Sequence, residues 1–534
     1  MSNLKNLLLA ASLFAPSLLA SCAAPIEGDD DCSEGKCDDV PDSEVPASPC
    51  DGKIEDVSGA NHSKVIGRNN DPLAKLAFMG EGCPTSFEDI MAKLRQTDKE
   101  GCAGEKDGIS TRLVSETAQA SGQAGGFRSV TTRRCNGRGT EGIVFSLFGL
   151  SASALPGSVE MISFDETAGV FNFYDSDGDK MKFFGSSKDM LKGAGGGDIR
   201  RCANCHTGGG LVMKELDTPW MHWEGHENSP GSQQIIDAHK DLGTKATGAE
   251  FEGVVKAGNA KWNKTRLAHF KGEAADPVQD LLKPLFCTVE FNIDNGADFG
   301  SPVSGAAGGS QISGVPFDSL LDPQLKGFGS LSVTFADYDA VIRANGQKLQ
   351  GVSGAIDTFF DYAFIERSHA DNDHINQLKA AGIVDDDLIK DVLMVDFTRH
   401  VFSSDRCGLL AFAPKLTGED LTAAKIRDGF IANLEAETPV AGSPAAVLLD
   451  NLKAANDAAA HTTKIDAFTN ACKALGSKPF LQNALKITSL NRTLAKERPV
   501  MEFPATVPTD NQNVDPDSRL DPKTCQVVTS FVAP

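Results

Sequence analysis

Cys202-Ala203-Asn204-Cys205-His206 is the stretch on which the reading of this 534-residue chain turns. Cys-x-x-Cys-His reads as an attachment site for c-type haem. The spacing follows from the chemistry. Two thiols add across the two vinyl groups of the macrocycle, and the adjacent imidazole ligates iron from the proximal side, leaving the sixth position to the rest of the fold. Chance is a weak competitor: with 13 Cys and 10 His in the chain, random placement yields roughly 0.006 such matches. Just downstream, Thr207-Gly208-Gly209-Gly210-Leu211 lets backbone pass close to a flat ring system, and Trp220 and Trp223 offer an apolar wall. The same glycines also suit a plain loop, and the tryptophans an ordinary core. Just upstream, Arg200 and Arg201 are candidate partners for haem propionates, because a guanidinium binds a carboxylate through two parallel hydrogen bonds.

The sixth iron ligand stays open at this level. Met213 and His222 are the leading candidates, with Met221 and His226 nearby, and an unligated position is an equal alternative. A rival metal reading uses the same cysteines. Cys202 and Cys205, followed after sixteen intervening residues by His222 and then by His226, approximate a Cys2His2 zinc site. His206 has no role in that reading, and Gly208-Gly209-Gly210 falls where a zinc finger needs ordered packing.

The five-residue motif resembles the attachment site of the cytochrome c superfamily. That resemblance implies one haem c held covalently by Cys202 and Cys205, His206 as the proximal iron ligand, and maturation outside the cytoplasm. The stretch from about residue 170 to Trp223 also resembles a group of large, exported bacterial proteins that carry a cytochrome c domain, and it brings no established activity with it. The N-terminus fits export. Lys5 precedes an apolar run from Leu7 to Leu19, too short to span a bilayer comfortably. Leu19-Ala20-Ser21-Cys22 resembles a bacterial lipobox, which implies a signal peptide over 1–21 and a lipid on Cys22. Ala23 in the next position favours the outer membrane in the enterobacterial pattern. An ordinary secretory signal is the plainer alternative.

Residues 22–49 are acidic and Pro-rich, the composition of an extended tether. The chain carries a formal charge of −22, which disfavours nucleic acid as a partner. Removing Cys22, Cys202 and Cys205 from the 13 cysteines leaves ten, an even remainder that suits disulfides in an exported protein. Pairing neighbours in the sequence suggests Cys32–Cys37, Cys50–Cys83, Cys102–Cys135, Cys287–Cys407 and Cys472–Cys525.

The expected fold is α+β and mostly helical, in several regions. An N-terminal mixed region covers 50–150, a cytochrome c-like haem-binding region 151–235, and a larger helical region 236–500, with an extended tail over 501–534. Asp175-Ser176-Asp177-Gly178-Asp179 between two aromatic-rich runs reads as a hairpin turn rather than a calcium loop, since it lacks the glycine placement and terminal Glu of an EF-hand. Periodicity predicts helices over Ser86–Gln96, Ser232–Asp241, Ala249–Phe270, Pro277–Phe286, Ile356–Ile365, Asp386–Asp396, Gly418–Glu435, Ala445–Ala458, Thr463–Leu475 and Ser477–Thr493, and a strand over Leu331–Phe335. His369-Ala370-Asp371-Asn372-Asp373-His374 reads either as a metal-binding cluster or as the polar start of a helix.

Three function classes follow. The first is an electron-transfer lipoprotein of the cell envelope, working with a redox partner protein. The second is a peroxidase-like haem enzyme with an open distal site. The third is a structural or binding protein, in which haem staples the core or zinc replaces it. A single Cys-x-x-Cys-His and no visible distal acid–base pair favour the carrier.

Overall fold

The computed structural model describes residues 42–60, 62–80, 82–101, 109–116, 126–133, 142–146, 151–155, 157, 159–191, 202, 206–211, 230–240, 244–245, 248–272, 274, 276–294, 311–316, 320–325, 330–345, 364–454, 458–496 and 515–534. The fold is α+β and mostly helical, as expected.

Eight strands form one mixed sheet: β1 (Ile54–Asp56), β2 (Ile109–Glu116), β3 (Gly126–Arg133), β4 (Gly142–Ser146), β5 (Val159–Asp165), β6 (Val170–Ser176), β7 (Met181–Ser186) and β8 (Thr244–Lys245). Their order is β1-β7-β6-β5-β4-β3-β2-β8. Strands β2 to β7 make an antiparallel meander, while β1 joins β7 and β8 joins β2 in parallel. The sheet therefore draws strands from both sides of residue 150. The β6–β7 connection is the expected hairpin. The Asp177 side chain accepts from the backbone N–H groups of Asp179 and Lys180 at 3.0 and 2.7 Å, which closes the turn and lowers that carboxyl's pKa.

The central strands are buried on both faces, which is why they read as dense apolar runs instead of a clean alternation. Side chains still alternate with the pleat. Val159, Met161, Tyr174, Met181 and Phe183 join the core around Cys50, Phe78 and Ile90. Ile162, Phe164, Phe171, Phe173 and Phe184 join a second core with Leu211, Val255 and Trp262. On the first face, Asp71 ties the chain ahead of the helical turn Leu73–Phe78 to the sheet. Its carboxylate accepts from the Ala74 N–H at 3.0 Å, the Tyr174 hydroxyl at 2.7 Å and the Asn172 amide at 2.9 Å. Burial raises the pKa of Asp71 and pushes that of Tyr174 well up.

The second face is covered by the long helix Gly248–Gly272. One stripe of this helix, Asn259, Trp262, Asn263 and Arg266, is buried yet mostly polar. The spacing i, i+3, i+4, i+7 places these four residues on one side.

The C-terminal part packs helices Pro277–Phe286, Phe335–Asn345, His369–Ala380, Asp386–Leu393, Ala423–Glu437, Pro444–Lys453, Ala458–Leu475 and Ser477–Lys496. Their shared core includes Leu281, Phe286, Ile375, Leu393, Phe430, Leu448, Phe468 and Leu481. Two ribbons border it: β9 (Phe291–Asp294) pairs with β12 (Phe364–Arg367), and β10 (Gln311–Pro316) with β11 (Ser330–Thr334). The tail folds back as β13 (Arg519–Leu520) and β14 (Val527–Val528), pinned by Arg519 to Asp396 and Asp405 at 3.0 and 2.7 Å.

Several predicted elements change. The end of the helix expected over Ile356–Ile365 is strand β12, because Phe364–Arg367 finds a ladder partner in β9. The helix expected from Gly418 breaks at Leu421: Gly418–Asp420 is a tight turn, and Thr422 caps a fresh helix by accepting the Lys425 N–H. The helix over Ala445–Ala458 stops at Lys453. Disulfides Cys50–Cys83, Cys287–Cys407 and Cys472–Cys525 are present as paired in the sequence reading. Cys32, Cys37, Cys102 and Cys135 lie outside the described residues. Among the described residues no helix is long and apolar enough to cross a membrane.

Candidate functional site

Cys202 and His206 are joined by a helix-type backbone hydrogen bond. The His206 backbone N–H donates to the Cys202 carbonyl at 2.8 Å, an i to i−4 bond that spans the intervening motif. Cys202 is half-buried and packs against the core between the sheet and the long helix. The His206 ring lies against Phe173 of β6, with ring centroids 5.1 Å apart and planes tilted by 55°.

The His206 Nδ1 atom is 2.8 Å from the Gly210 carbonyl oxygen. A carbonyl only accepts, so Nδ1 carries the proton and the lone pair sits on Nε2. A backbone acceptor on one ring nitrogen is how a metal-binding imidazole is usually held in a single tautomer and orientation. The same contact makes the turn after the motif part of the site.

That turn is tightly accounted for. The Gly209 N–H donates to the His206 carbonyl at 2.8 Å. The Gly208 carbonyl accepts from the Trp262 indole at 2.7 Å, and the Gly208 N–H donates to Glu290 at 2.5 Å. The Asn259 side chain reads both backbone groups of Leu211, accepting from its N–H at 2.7 Å and donating to its carbonyl at 2.8 Å. Gly209 has φ +74°, and a Cβ there would lie 2.5 Å from the Ser187 carbonyl oxygen, so only glycine turns the chain here. At Gly210 a Cβ would meet the Asn259 side-chain oxygen at 2.4 Å. The glycine run expected to admit a macrocycle is therefore packed by the protein itself.

Glu290 connects this turn to the helical body. Its carboxylate also takes the Thr207 hydroxyl at 3.4 Å, while its backbone N–H donates to Asp371 at 3.2 Å. Asp371 in turn pairs with Arg266 at 3.2 Å, both side chains nearly inaccessible to water. The His369–His374 segment is thus the start of a helix, with Ser368 as its N-cap. Asp371 is spent on Arg266 and the Glu290 amide, and Asp373 on Asn263 and Gln377. The His374 Nε2–H donates to the Leu281 carbonyl at 3.1 Å, and burial drives that imidazole's pKa well below the usual value. Among the described residues no group of three or more His, Cys, Asp or Glu side chains gathers as a metal cage.

Of the residues singled out from the sequence, Cys202 and His206 are brought together by that backbone hydrogen bond. Cys22, Arg200, Arg201, Cys205, Met213, Met221, His222 and His226 lie outside the described residues. Four residues of the site carried no signal in the sequence: Phe173, Asn259, Trp262 and Glu290. Each acts on the turn from 29 or more positions away, Phe173 before it and the others after it, and their spacing matches no motif. The one hint was an Asn and a Trp three apart, on one side of a long helix. No family model, no curated protein and no solved structure matches this chain.

Proposed function

We propose that the chain is a c-type haem-binding electron-transfer lipoprotein of the cell envelope. The observation that carries this reading is the His206 lock, a proton fixed on Nδ1 by the Gly210 carbonyl, on a residue whose backbone N–H is bonded to the Cys202 carbonyl. It leaves the Nε2 lone pair as the ligating position, the arrangement a proximal haem ligand needs. A zinc site built from Cys202, Cys205, His222 and His226 gives this lock no task.

Cys202 and Cys205 would hold the group. Each thiol would add across a vinyl group, its sulfur bonding one carbon and its proton going to the other, and no external oxidant would be required. Bound haem supplies a one-electron couple. The protein's contribution is to hold His206 in one tautomer through Gly210, to keep Phe173 against the imidazole, and to keep the turn rigid through Asn259, Trp262 and Glu290. Such rigidity lowers the rearrangement accompanying electron gain or loss, which suits a carrier. Arg200 and Arg201 are proposed propionate partners, and Met213 or His222 the distal ligand. A lipid on Cys22 is proposed to hold the chain at the outer membrane, where it meets a redox partner protein.

A denaturing gel stained for haem peroxidase activity tests the reading. The wild-type chain, expressed with export and haem-attachment machinery, is expected to give a stained band that Cys202→Ala with Cys205→Ala abolishes. A colourless wild-type protein carrying one equivalent of zinc would overturn it.

A further inference from the structure

We propose that Glu290 is the positioning residue for His206, clamping the turn that orients the imidazole; this rests on the haem reading above. Glu290 is 2% exposed, and its carboxylate is directed at the turn from a segment more than eighty residues downstream. It accepts the Gly208 N–H at 2.5 Å and the Thr207 hydroxyl at 3.4 Å. Its own backbone is held on both sides: the N–H donates to Asp371, and the carbonyl accepts from the Ser368 N–H at 3.2 Å. Asp371 is itself fixed by Arg266. The clamp is therefore anchored in the junction of two helices, not in a loop free to follow the turn.

The geometry explains why this residue reaches the imidazole without touching it. Thr207 and Gly208 follow His206 directly, and Gly210, which receives the Nδ1 proton, comes two residues later. Fixing the peptide between them sets the distance between the ring and its acceptor. Trp262 holds the next peptide by donating to the Gly208 carbonyl. Buried backbone groups require partners, and a carboxylate makes a stronger one than a neutral acceptor. The clamp belongs to the polypeptide alone, so it stands before any group is attached.

The test uses the full chain in two forms. In the haem-free Cys202→Ala, Cys205→Ala background, adding Glu290→Ala is expected to speed hydrogen exchange at the Gly208 amide by about tenfold or more, the loss of a charge-assisted hydrogen bond. Glu290→Gln, which keeps an acceptor, should restore most of the protection. In the haem-bearing chain, Glu290→Ala should shift both the iron–histidine stretching frequency and the midpoint potential, with Glu290→Gln nearer to wild type. A merely structural residue would lower the melting temperature and leave that frequency in place. Unchanged Gly208 exchange and an unchanged iron–histidine frequency in folded Glu290→Ala would overturn the clamp while the haem reading stands. A wild-type chain without covalent haem would overturn the haem reading, and the role of Glu290 with it. Should Glu290→Ala fail to fold, Glu290→Asp keeps the charge but draws the carboxylate back from the Gly208 N–H by one methylene: faster Gly208 exchange with a shifted frequency supports the clamp, and no change in either overturns it.

Discussion

The turn at 206–211 and the helical body behind it are held by different physics. The turn rests on directed hydrogen bonds and on glycine backbone pressed against its neighbours, with Leu211 its one large apolar contribution to the core. The body rests on a broad apolar core, three helices of which bury Leu281, Ile375 and Leu448 completely, and it holds charge inside as the pairs Arg367–Asp322 and Arg519–Asp396 and as Arg406 on backbone carbonyls. Apolar burial supplies stability in proportion to area but no orientation. Hydrogen bonds contribute little net stability each, about 1 kcal/mol, yet fix direction. A site that must point an imidazole uses the second kind, and a scaffold that must resist unfolding uses the first.

The largest expected effect breaks the body while sparing the chemistry of the turn. Arg367 and Asp322 pair at 2.6 Å with both side chains 2% exposed. Asp322→Ala leaves a buried guanidinium uncompensated and should cost about 4 kcal/mol, read as a lowered midpoint in urea unfolding. Asp322→Asn, which keeps a hydrogen-bond acceptor, should cost less. Equal losses from the two variants would show that charge pairing is not what holds this corner.

A smaller effect comes from His400, beside that pair. Burial lowers its pKa from 6.5 to about 4, with Asp322 opposing the shift and Arg406 and Arg367 adding to it. The unfolded chain binds the proton more readily than the folded one. His400 therefore gives its full stability above pH 6.5, and that stability is lost as pH falls from there to about 4, by about 3 kcal/mol across the window. Replacing His400 by Gln should flatten the acid side of the stability profile by that amount. A profile with unchanged slope would mean that other buried groups, His374 among them, carry the acid sensitivity.

The smallest effect sharpens the comparison most. Gly209→Ala places a side chain at φ +74° and 2.5 Å from the Ser187 carbonyl, costing about 2 kcal/mol in strain. Hydrogen exchange should rise at Gly208 and Leu211, while the helix Pro277–Phe286 keeps its protection. If both regions loosen together, turn and body are one cooperative unit and the contrast drawn above fails.

Local chemistry was readable in the sequence wherever short range decides it. The Asp177–Gly178 turn and the helix from Pro277 with its proline in the first turn follow from local cues, while the three disulfides, up to 120 residues apart, were reached by pairing cysteines in sequence order. What escaped depends on partners far along the chain. Phe364–Arg367 is a strand because β9 lies beside it about seventy residues earlier, and nothing within the segment says so. The helix His369–Ala380 stood as one of two readings beside a metal-like cluster, because its inward stripe carries Asp371 and His374 among Ala370, Ile375 and Leu378, which blurs the apolar period. Glu290 was invisible for the same reason: a lone acidic residue has meaning only once Gly208 is seen to face it.

The sheet's two ends carry a last consequence, for solubility. Its central strands are among the most aromatic segments of the chain, the composition that recruits other strands when it is left at an edge. Here the edges are β1, three residues long, and β8, two residues long. Among the described residues, a foreign strand docking on either finds three residues of β1 or two of β8 to pair with. Brevity at the margins thus shields the sticky middle from intermolecular pairing, and a lengthened β8 would turn the same sheet into a site for aggregation.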